Sequence, residues 1–225
     1  MKIAILGATG TVGGEVVREA IKDPAFDEVA AVVRRPLDIE HPKLKIVQHQ
    51  NYLDYSNLKE IFKNSNACIW CLGISQSQVN EQKYMEITYD YTLAAAKAML
   101  EANPDITFLF LSGAGADPSE QSKTLFARGK GKAENALQTL PFKKLYIVRP
   151  AGIQPIHINK NTALINKILA PVYPLLKLVA PSLVISSAEL AKAMLYILKN
   201  GYGKTIIENA ELKQIAFKRQ NIEST

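Results

Sequence analysis

The N-terminal stretch Lys2-Ile3-Ala4-Ile5-Leu6-Gly7-Ala8-Thr9-Gly10-Thr11-Val12-Gly13 constrains the fold more than any other part of the chain. A short apolar run leads into glycines spaced Gly-x-x-Gly-x-x-Gly. The following segment places Val12, Val16, Val17, Ala20 and Ile21 on one helical face. Strand, sharp turn and helix in this order form the opening unit of a nucleotide-binding α/β fold. A helix N-terminus presents unsatisfied N–H groups and the positive end of its dipole. A dinucleotide pyrophosphate reaches them only where the backbone turns sharply and no Cβ blocks the approach. Gly7, Gly10 and Gly13, with Ala8, Thr9, Thr11 and Val12 between them, are therefore expected to cradle a pyrophosphate. The alternative is an ordinary βα turn whose glycines serve packing alone.

Strand signals recur near residues 2–6, 28–33, 44–48, 67–72, 106–111, 144–149 and 204–208, with helical stretches between most of them. That alternation predicts a doubly wound, parallel-sheet α/β domain with helices on both faces, a Rossmann fold. A chain of 225 residues, 48% hydrophobic, suits one such domain over residues 1–225. Two helix starts carry a capping-box pattern: Asp117 before Pro118 with Glu120, and Ser186 with Glu189. The second leads into Leu190, Ala191, Met194, Leu195 and Leu198 on one side and stops at Gly201, a C-cap candidate.

Several function classes are disfavoured. The opening apolar run is broken by Gly7 and Gly10 and lacks a small-residue cleavage site, so it reads as structure rather than a signal peptide. The most hydrophobic region, Ala163 to Ile185, is cut by Lys167, Pro171, Pro174, Lys177 and Pro181, so no membrane span is expected. The net charge of +6 comes from scattered basic residues without a nucleic-acid-binding motif, and an anionic cofactor is the simpler beneficiary. Cys68 and Cys71 form a C-x-x-C. On a strand, residues three apart point to opposite faces about 10 Å apart, beyond the roughly 7 Å reach of a disulfide. Both read as reduced core thiols, consistent with a cytoplasmic protein. His41, His49 and His157 show no metal-ligand spacing, so no metal site is expected.

In an open α/β sheet, ligands lie beyond the carboxyl ends of the strands, so the residues just after each strand matter most. An NAD-selective site usually has Asp or Glu after the second strand; this chain has Arg34 and Arg35. A guanidinium pairs with a 2′-phosphate through charge-assisted hydrogen bonds, which predicts NADP(H) over NAD(H). The other reading is two solvated arginines before Pro36. Asn51 and Tyr52 follow the third strand and are candidates to flank the adenine. Leu72 and Gly73 follow the fourth, where glycine lets the backbone approach a ribose. Asp54 reads either as part of that site or as a cap on the next helix.

Taken together, these motifs resemble the short-chain dehydrogenase/reductase superfamily, in particular its atypical, Tat-interacting-oxidoreductase-like group. The resemblance also rests on Cys71-Leu72-Gly73, Thr88-Tyr89-Asp90-Tyr91, Leu111-Ser112-Gly113-Ala114-Gly115-Ala116-Asp117 and Arg149-Pro150-Ala151-Gly152, and covers nearly the whole chain. It implies a serine after strand five that orients a carbonyl, a tyrosine that donates a proton as hydride arrives, and a lysine four residues later that lowers the tyrosine's pKa. Ser112 matches the serine and Lys130 the lysine, but the tyrosine position is Phe126, which has no proton to donate. General acid catalysis typically contributes about 10² to 10⁴ in rate, so ordinary carbonyl reduction should suffer unless another group, such as Tyr84, Tyr89 or Tyr91, substitutes. Lys130 retains a role toward the nicotinamide ribose, or is a solvated charge; Ser112 faces substrate, or caps its turn. Pro150, Gly152 and Ile153 resemble the family's nicotinamide-contacting turn. Residues 151–200 are expected to supply a substrate-pocket wall, with the apolar stretch Ile156 to Ile185 as wall, subunit contact or plain core. Two functions follow: an NADP(H)-dependent oxidoreductase acting on a small carbonyl or quinone-like acceptor, or a catalytically impaired dinucleotide-binding regulatory or redox-sensing protein that answers to a protein partner or assembles as a homo-oligomer.

Overall fold

The computed structural model describes residues 1–157 and 183–223, with the side chains of residues 219–223 left aside. In chain order the elements are β1 (Lys2–Leu6), α1 (Thr11–Lys22), β2 (Glu28–Val33), β3 (Leu44–Gln48), a 3-10 turn (Ser56–Leu58), α2 (Lys59–Asn64), β4 (Ala67–Trp70) and α3 (Glu81–Met85). A single π turn (Glu86–Asp90) joins α3 to α4 (Tyr91–Ala102). There follow β5 (Thr107–Leu111), α5 (Leu125–Gln138), β6 (Lys144–Arg149), β7 (Gly152–Gln154), β8 (Val184–Ser186), α6 (Ser187–Asn200), β9 (Ile206–Glu208) and α7 (Asn209–Glu223).

Seven strands form one parallel sheet in the order β3-β2-β1-β4-β5-β6-β9. The order reverses between β1 and β4, the place where an open α/β sheet leaves a crevice. The doubly wound Rossmann fold read from the sequence is therefore the fold of the chain. A sheet covered on both faces must be apolar at both parities of each strand. In β1, Ile3 and Ile5 join a core with Val16, Val17, Leu190, Met194 and Leu212, under α1, α6 and α7. Ala4 and Leu6 face the opposite core with Phe62, Trp70, Met99 and Leu137, under α2, α4 and α5. The two cysteines obey the same rule: Cys68 belongs to the second core, Cys71 packs against the first, and both are free thiols.

The capping box at Ser186 is complete: its hydroxyl accepts from the Glu189 amide at 3.1 Å and its amide donates to the Glu189 carboxylate at 2.7 Å. The helix it starts ends at Gly201, whose φ of 74° lies in the left-handed region that glycine tolerates. The similar pattern at Asp117 does something else. No helix starts there; α5 begins at Leu125, and the Asp117 carboxylate instead accepts from the amides of Ser119, Gln121 and Ser122 at 3.0, 3.1 and 2.7 Å, closing a polar loop. An aspartate can satisfy turn amides as readily as helix amides, and the following residues lack the apolar periodicity that would have extended a helix. The sequence reading also lacked the short parallel pair β7–β8, in which Gly152 to Gln154 lies beside Val184 to Ser186. Most of the apolar stretch assigned to the pocket wall, residues 158–182, lies outside the described residues. No helix among the described residues is long and apolar enough to cross a membrane.

Candidate functional site

At the β1–β4 crevice lies a groove of about 330 Å³, lined by Gly7, Thr9, Gly10, Val32, Val33, Arg34, Arg35, Tyr52, Cys71, Leu72, Gly73, Ile74 and Gln78. Eight of the residues singled out from sequence converge there: Gly7, Thr9 and Gly10 from the first turn, Arg34 and Arg35 after β2, Tyr52 after β3, and Leu72 and Gly73 after β4. Val32, Val33, Cys71, Ile74 and Gln78 were not anticipated. The first three belong to or adjoin buried strands, and Gln78 sits in a loop with no periodic signal.

The glycine turn is built for close approach. Gly7 has φ 85°, and a Cβ there would lie 2.6 Å from the backbone of Cys71 and Leu72. The Gly10 amide donates to the Gly7 carbonyl at 2.9 Å, closing the turn. Gly10 is then the N-cap of α1, with no side-chain cap and no acidic residue in the first turn, so the helix's first amides and positive dipole end face the groove uncompensated. Gly13 lies one turn on, where a Cβ would overlap the Gly7 carbonyl; Ala8 and Val12 are buried in the core behind the turn. An uncapped helix end behind a turn with no Cβ at Gly7 or Gly10 fits a pyrophosphate.

Around the far end of the groove the aromatic side chains stack. Tyr52 is buried and lies 5.7 Å from Tyr91, ring to ring, and 5.1 Å from His49 in an edge contact. His49 is stacked on Tyr55, and neither of its buried ring nitrogens has a hydrogen-bond partner. Burial holds its imidazole below the ordinary value; the neighbouring Asn51, Asn57 and Asp54 act in the opposite direction without outweighing it. Asn51 itself is exposed and its side chain accepts from the Leu53 amide at 3.1 Å, a local turn contact outside the groove lining. Asp54 caps its own turn through the Ser56 amide at 2.9 Å.

The residues matched to the catalytic positions lie beyond the carboxyl ends of β5 and β6. The Ser112 hydroxyl donates to the Glu134 carboxylate. Lys130 is buried, with its ammonium donating to the Leu111 carbonyl at 2.9 Å and standing 4.7 Å over the Phe110 ring. Burial pushes it down to about 8, against the opposing pull of Glu134 and Cys71. The ring of Phe126 lies with its tip 2.5 Å from where a Cβ on Gly113 would stand, so it is Gly113, not Ser112, whose missing side chain faces position 126. The three tyrosines considered as substitutes are engaged elsewhere. Tyr84 is buried against Gly129, Tyr89 lies under the Lys132 ammonium, and the Tyr91 hydroxyl donates to Glu86 at 2.7 Å. In the turn after β6, the Pro150 carbonyl accepts from Ala114 at 2.8 Å and the Ala151 amide donates to Asn209 at 3.0 Å. Gly152 and Ile153 continue as β7.

Sequence reasoning missed Glu134 and the role of Arg149. Arg149 clamps Glu134 through Nε at 3.0 Å and Nη2 at 2.5 Å, and reaches Glu208 at 3.1 Å. The spacing held a signal, since Glu134 follows Lys130 by four residues on one helical face and Arg149 ends a buried strand. It also missed Glu15, a buried carboxylate on α1 that meets His157 Nδ1 at 2.5 Å. Among the described residues, no three His, Cys, Asp or Glu side chains gather as a metal site would require.

Comparison with known proteins agrees with this geometry. Residues 7–201 match the family described as NAD(P)H-binding. The chain is 29% identical over 151 residues to the rat protein HTATIP2, covering 66% of this chain and 61% of that one. It is 28% identical over 154 residues to the mitochondrial protein FMP52 of Debaryomyces hansenii, covering 68% and 67%. The chain thus spans about two thirds or less of these curated relatives. Among solved structures, the Bordetella bronchiseptica enzyme WbmF in complex with NAD+ superposes with a TM-score of 0.70 at 12% identity, covering 99% of this chain and 78% of that one. An archaeal thiolation-reductase di-domain gives 0.71 at 15%, covering 92% and 55%; at such identities the likeness concerns the fold. The glycine turn, the crevice it opens and the family match lead to one conclusion: the chain belongs to the NAD(P)H-binding family.

Proposed function

We propose that this chain binds NADP(H) in the groove between the glycine turn and Arg34, and passes hydride to a small quinone-like acceptor whose reduction needs no proton donor on the protein. The observation that carries this reading is the seat of Phe126 against Gly113, which leaves no hydroxyl at the position where the related chemistry uses one. A simple ketone would forfeit the roughly 10² to 10⁴ that a general acid contributes, whereas the hydroquinone anion left by hydride addition to a quinone takes its one remaining proton readily from water. When bound, the nicotinamide supplies the hydride. The rest falls to the chain: the first amides of α1, reached across the Gly7–Gly10 turn, hold the pyrophosphate, and Arg34 and Arg35 at the rim offer guanidinium groups to a 2′-phosphate. Charge-assisted hydrogen bonds of about 1.5 to 3 kcal/mol suffice for a tenfold or greater preference over NAD(H). Lys130, buried beside the sheet end, places positive charge near the reacting region. The free thiols Cys68 and Cys71 suit a reducing compartment such as the cytoplasm.

A second reading, a dinucleotide-binding sensor without turnover, is favoured by the inward engagement of both Ser112 and Lys130. NADPH oxidation against a panel of quinones and carbonyls separates the two, using wild type, Phe126→Tyr and Lys130→Ala. The proposal expects quinone turnover by wild type, strongly reduced in Lys130→Ala. Dinucleotide binding with no turnover of any acceptor, or turnover appearing only in Phe126→Tyr, would overturn it in favour of the sensor.

A further inference from the structure

Glu134 is 1% exposed, yet its carboxylate is fully engaged. Arg149 grips it with two parallel N–H groups, at 3.0 Å to Oε1 and 2.5 Å to Oε2, and the Ser112 hydroxyl donates to Oε1 as well. A carboxylate accepts and cannot donate, and both of its oxygens here meet the guanidinium fork. The one proton of the Ser112 hydroxyl is therefore turned inward, and what the oxygen still offers at the carboxyl end of β5 is its lone pairs. The Lys130 ammonium donates to the Leu111 carbonyl at 2.9 Å. Ser112 so held cannot donate to a carbonyl, the role that the family resemblance implies for it.

We infer that Glu134 is a positioning residue that converts Ser112 into a hydrogen-bond acceptor, and that Ser112 receives an N–H or O–H donor on the nicotinamide riboside half of the bound dinucleotide. This rests on the dinucleotide reading proposed above. The donors on that half are the carboxamide N–H and the ribose hydroxyls, and both present the same chemistry to a serine lone pair.

The test is titration calorimetry on folded wild type, Ser112→Ala, Glu134→Gln and the double variant. Each is titrated with NADP+, with its 3-acetylpyridine analogue, which lacks the carboxamide N–H, and with adenosine 2′,5′-bisphosphate, which lacks the nicotinamide half. Each single variant should bind NADP+ roughly five- to tenfold more weakly, the worth of one hydrogen bond, and the double variant no more weakly than either single one. Adenosine bisphosphate should bind all four proteins alike, which a merely structural defect would not allow. If the carboxamide is the donor, the acetylpyridine analogue is indifferent to Ser112→Ala; if a ribose hydroxyl is, the analogue loses as much as NADP+. Either pattern supports the inference. Unchanged NADP+ binding in the single variants, additive losses, or equal losses for NADP+ and adenosine bisphosphate would overturn it. Should Glu134→Gln fail to fold, Ser112→Ala leaves the Glu134–Arg149 pair in place, and an unchanged affinity there refutes the inference alone. Wild type that binds neither NADP+ nor adenosine bisphosphate would instead remove the NADP(H) reading, and the inference as stated with it.

Discussion

Two adjacent glycines on α1 offer a sharp test of the phosphate turn. Replacing a helical glycine with alanine ordinarily stabilises by about 0.5 to 1 kcal/mol, because alanine gives up less backbone freedom on folding. At Gly14 the new methyl group would meet Arg18 Nη1 at 3.2 Å and the Ala8 carbonyl at 3.3 Å. The arginine end can swing away and the carbonyl need yield only slightly, so most of the helical gain survives and stability should change by about zero to +1 kcal/mol. At Gly13 the methyl group would overlap the Gly7 carbonyl oxygen and stand 2.8 Å from its carbon and 3.1 Å from Ala8 Cα, all main-chain atoms of the turn itself. Overpacking of this kind costs about 1 to 3 kcal/mol, which reverses the sign. The two variants then differ by about 1 to 4 kcal/mol, and with roughly 2 to 4 °C per kcal/mol for a chain this size Gly13→Ala should melt about 2 to 16 °C lower than Gly14→Ala. The displaced Gly7 turn should also bind dinucleotide at least about tenfold more weakly, since the groove amides move with it. Thermal melts paired with calorimetric titration of NADP+ read both effects. A Gly13→Ala protein as stable as Gly14→Ala, or one that binds NADP+ as tightly as wild type, would refute the reasoning.

Other consequences are as direct. Arg34→Ala and Arg35→Ala should each weaken NADP(H) while leaving NAD(H) within about twofold, with at least one variant losing about tenfold or more; unchanged NADP(H) binding in both would defeat the assignment of the 2′-phosphate site. His49 is held below the ordinary imidazole value by burial, so the unfolded chain takes up a proton there before the folded one does. Stability should then fall as pH drops below about 6.5 toward the depressed folded value. In His49→Phe, which keeps the stack between Tyr52 and Tyr55, urea midpoints should lose that slope. A slope that persists would place the titrating group elsewhere.

The frame was legible because its causes are local. Apolar runs in β1, β2, β3 and β6 mark their own bounds, and Ser186 with Glu189 announces a helix through contacts three residues apart. Asp117 misled for the same reason: an aspartate beside a proline satisfies amides in either a helix or a loop, and here the residues after it lack a helix's apolar period while Gly131 packs closely against the Asp117 backbone. The groove was readable where backbone demands glycine, at Gly7 and Gly10, and where charge is unusual, at Arg34 and Arg35. Motif spacing places Ser112 after β5 but cannot say which way its hydroxyl turns. That depends on Glu134 and Arg149, which come from a different helix and strand. The π turn at Glu86–Asp90 and the β7–β8 pair escaped notice because an extra residue per turn and a three-residue strand leave no period to detect.

The β7–β8 pair has an evolutionary consequence. Because Gly152 pairs with Val184 and Gln154 with Ser186, the two ends of the connection between these strands are held at one seam. Where both ends of a connection are pinned in this way, the entropic cost of lengthening it grows merely as a logarithm. Selection, or a protein engineer, can therefore change the length of that connection at small cost, while the nucleotide cradle upstream keeps its shape.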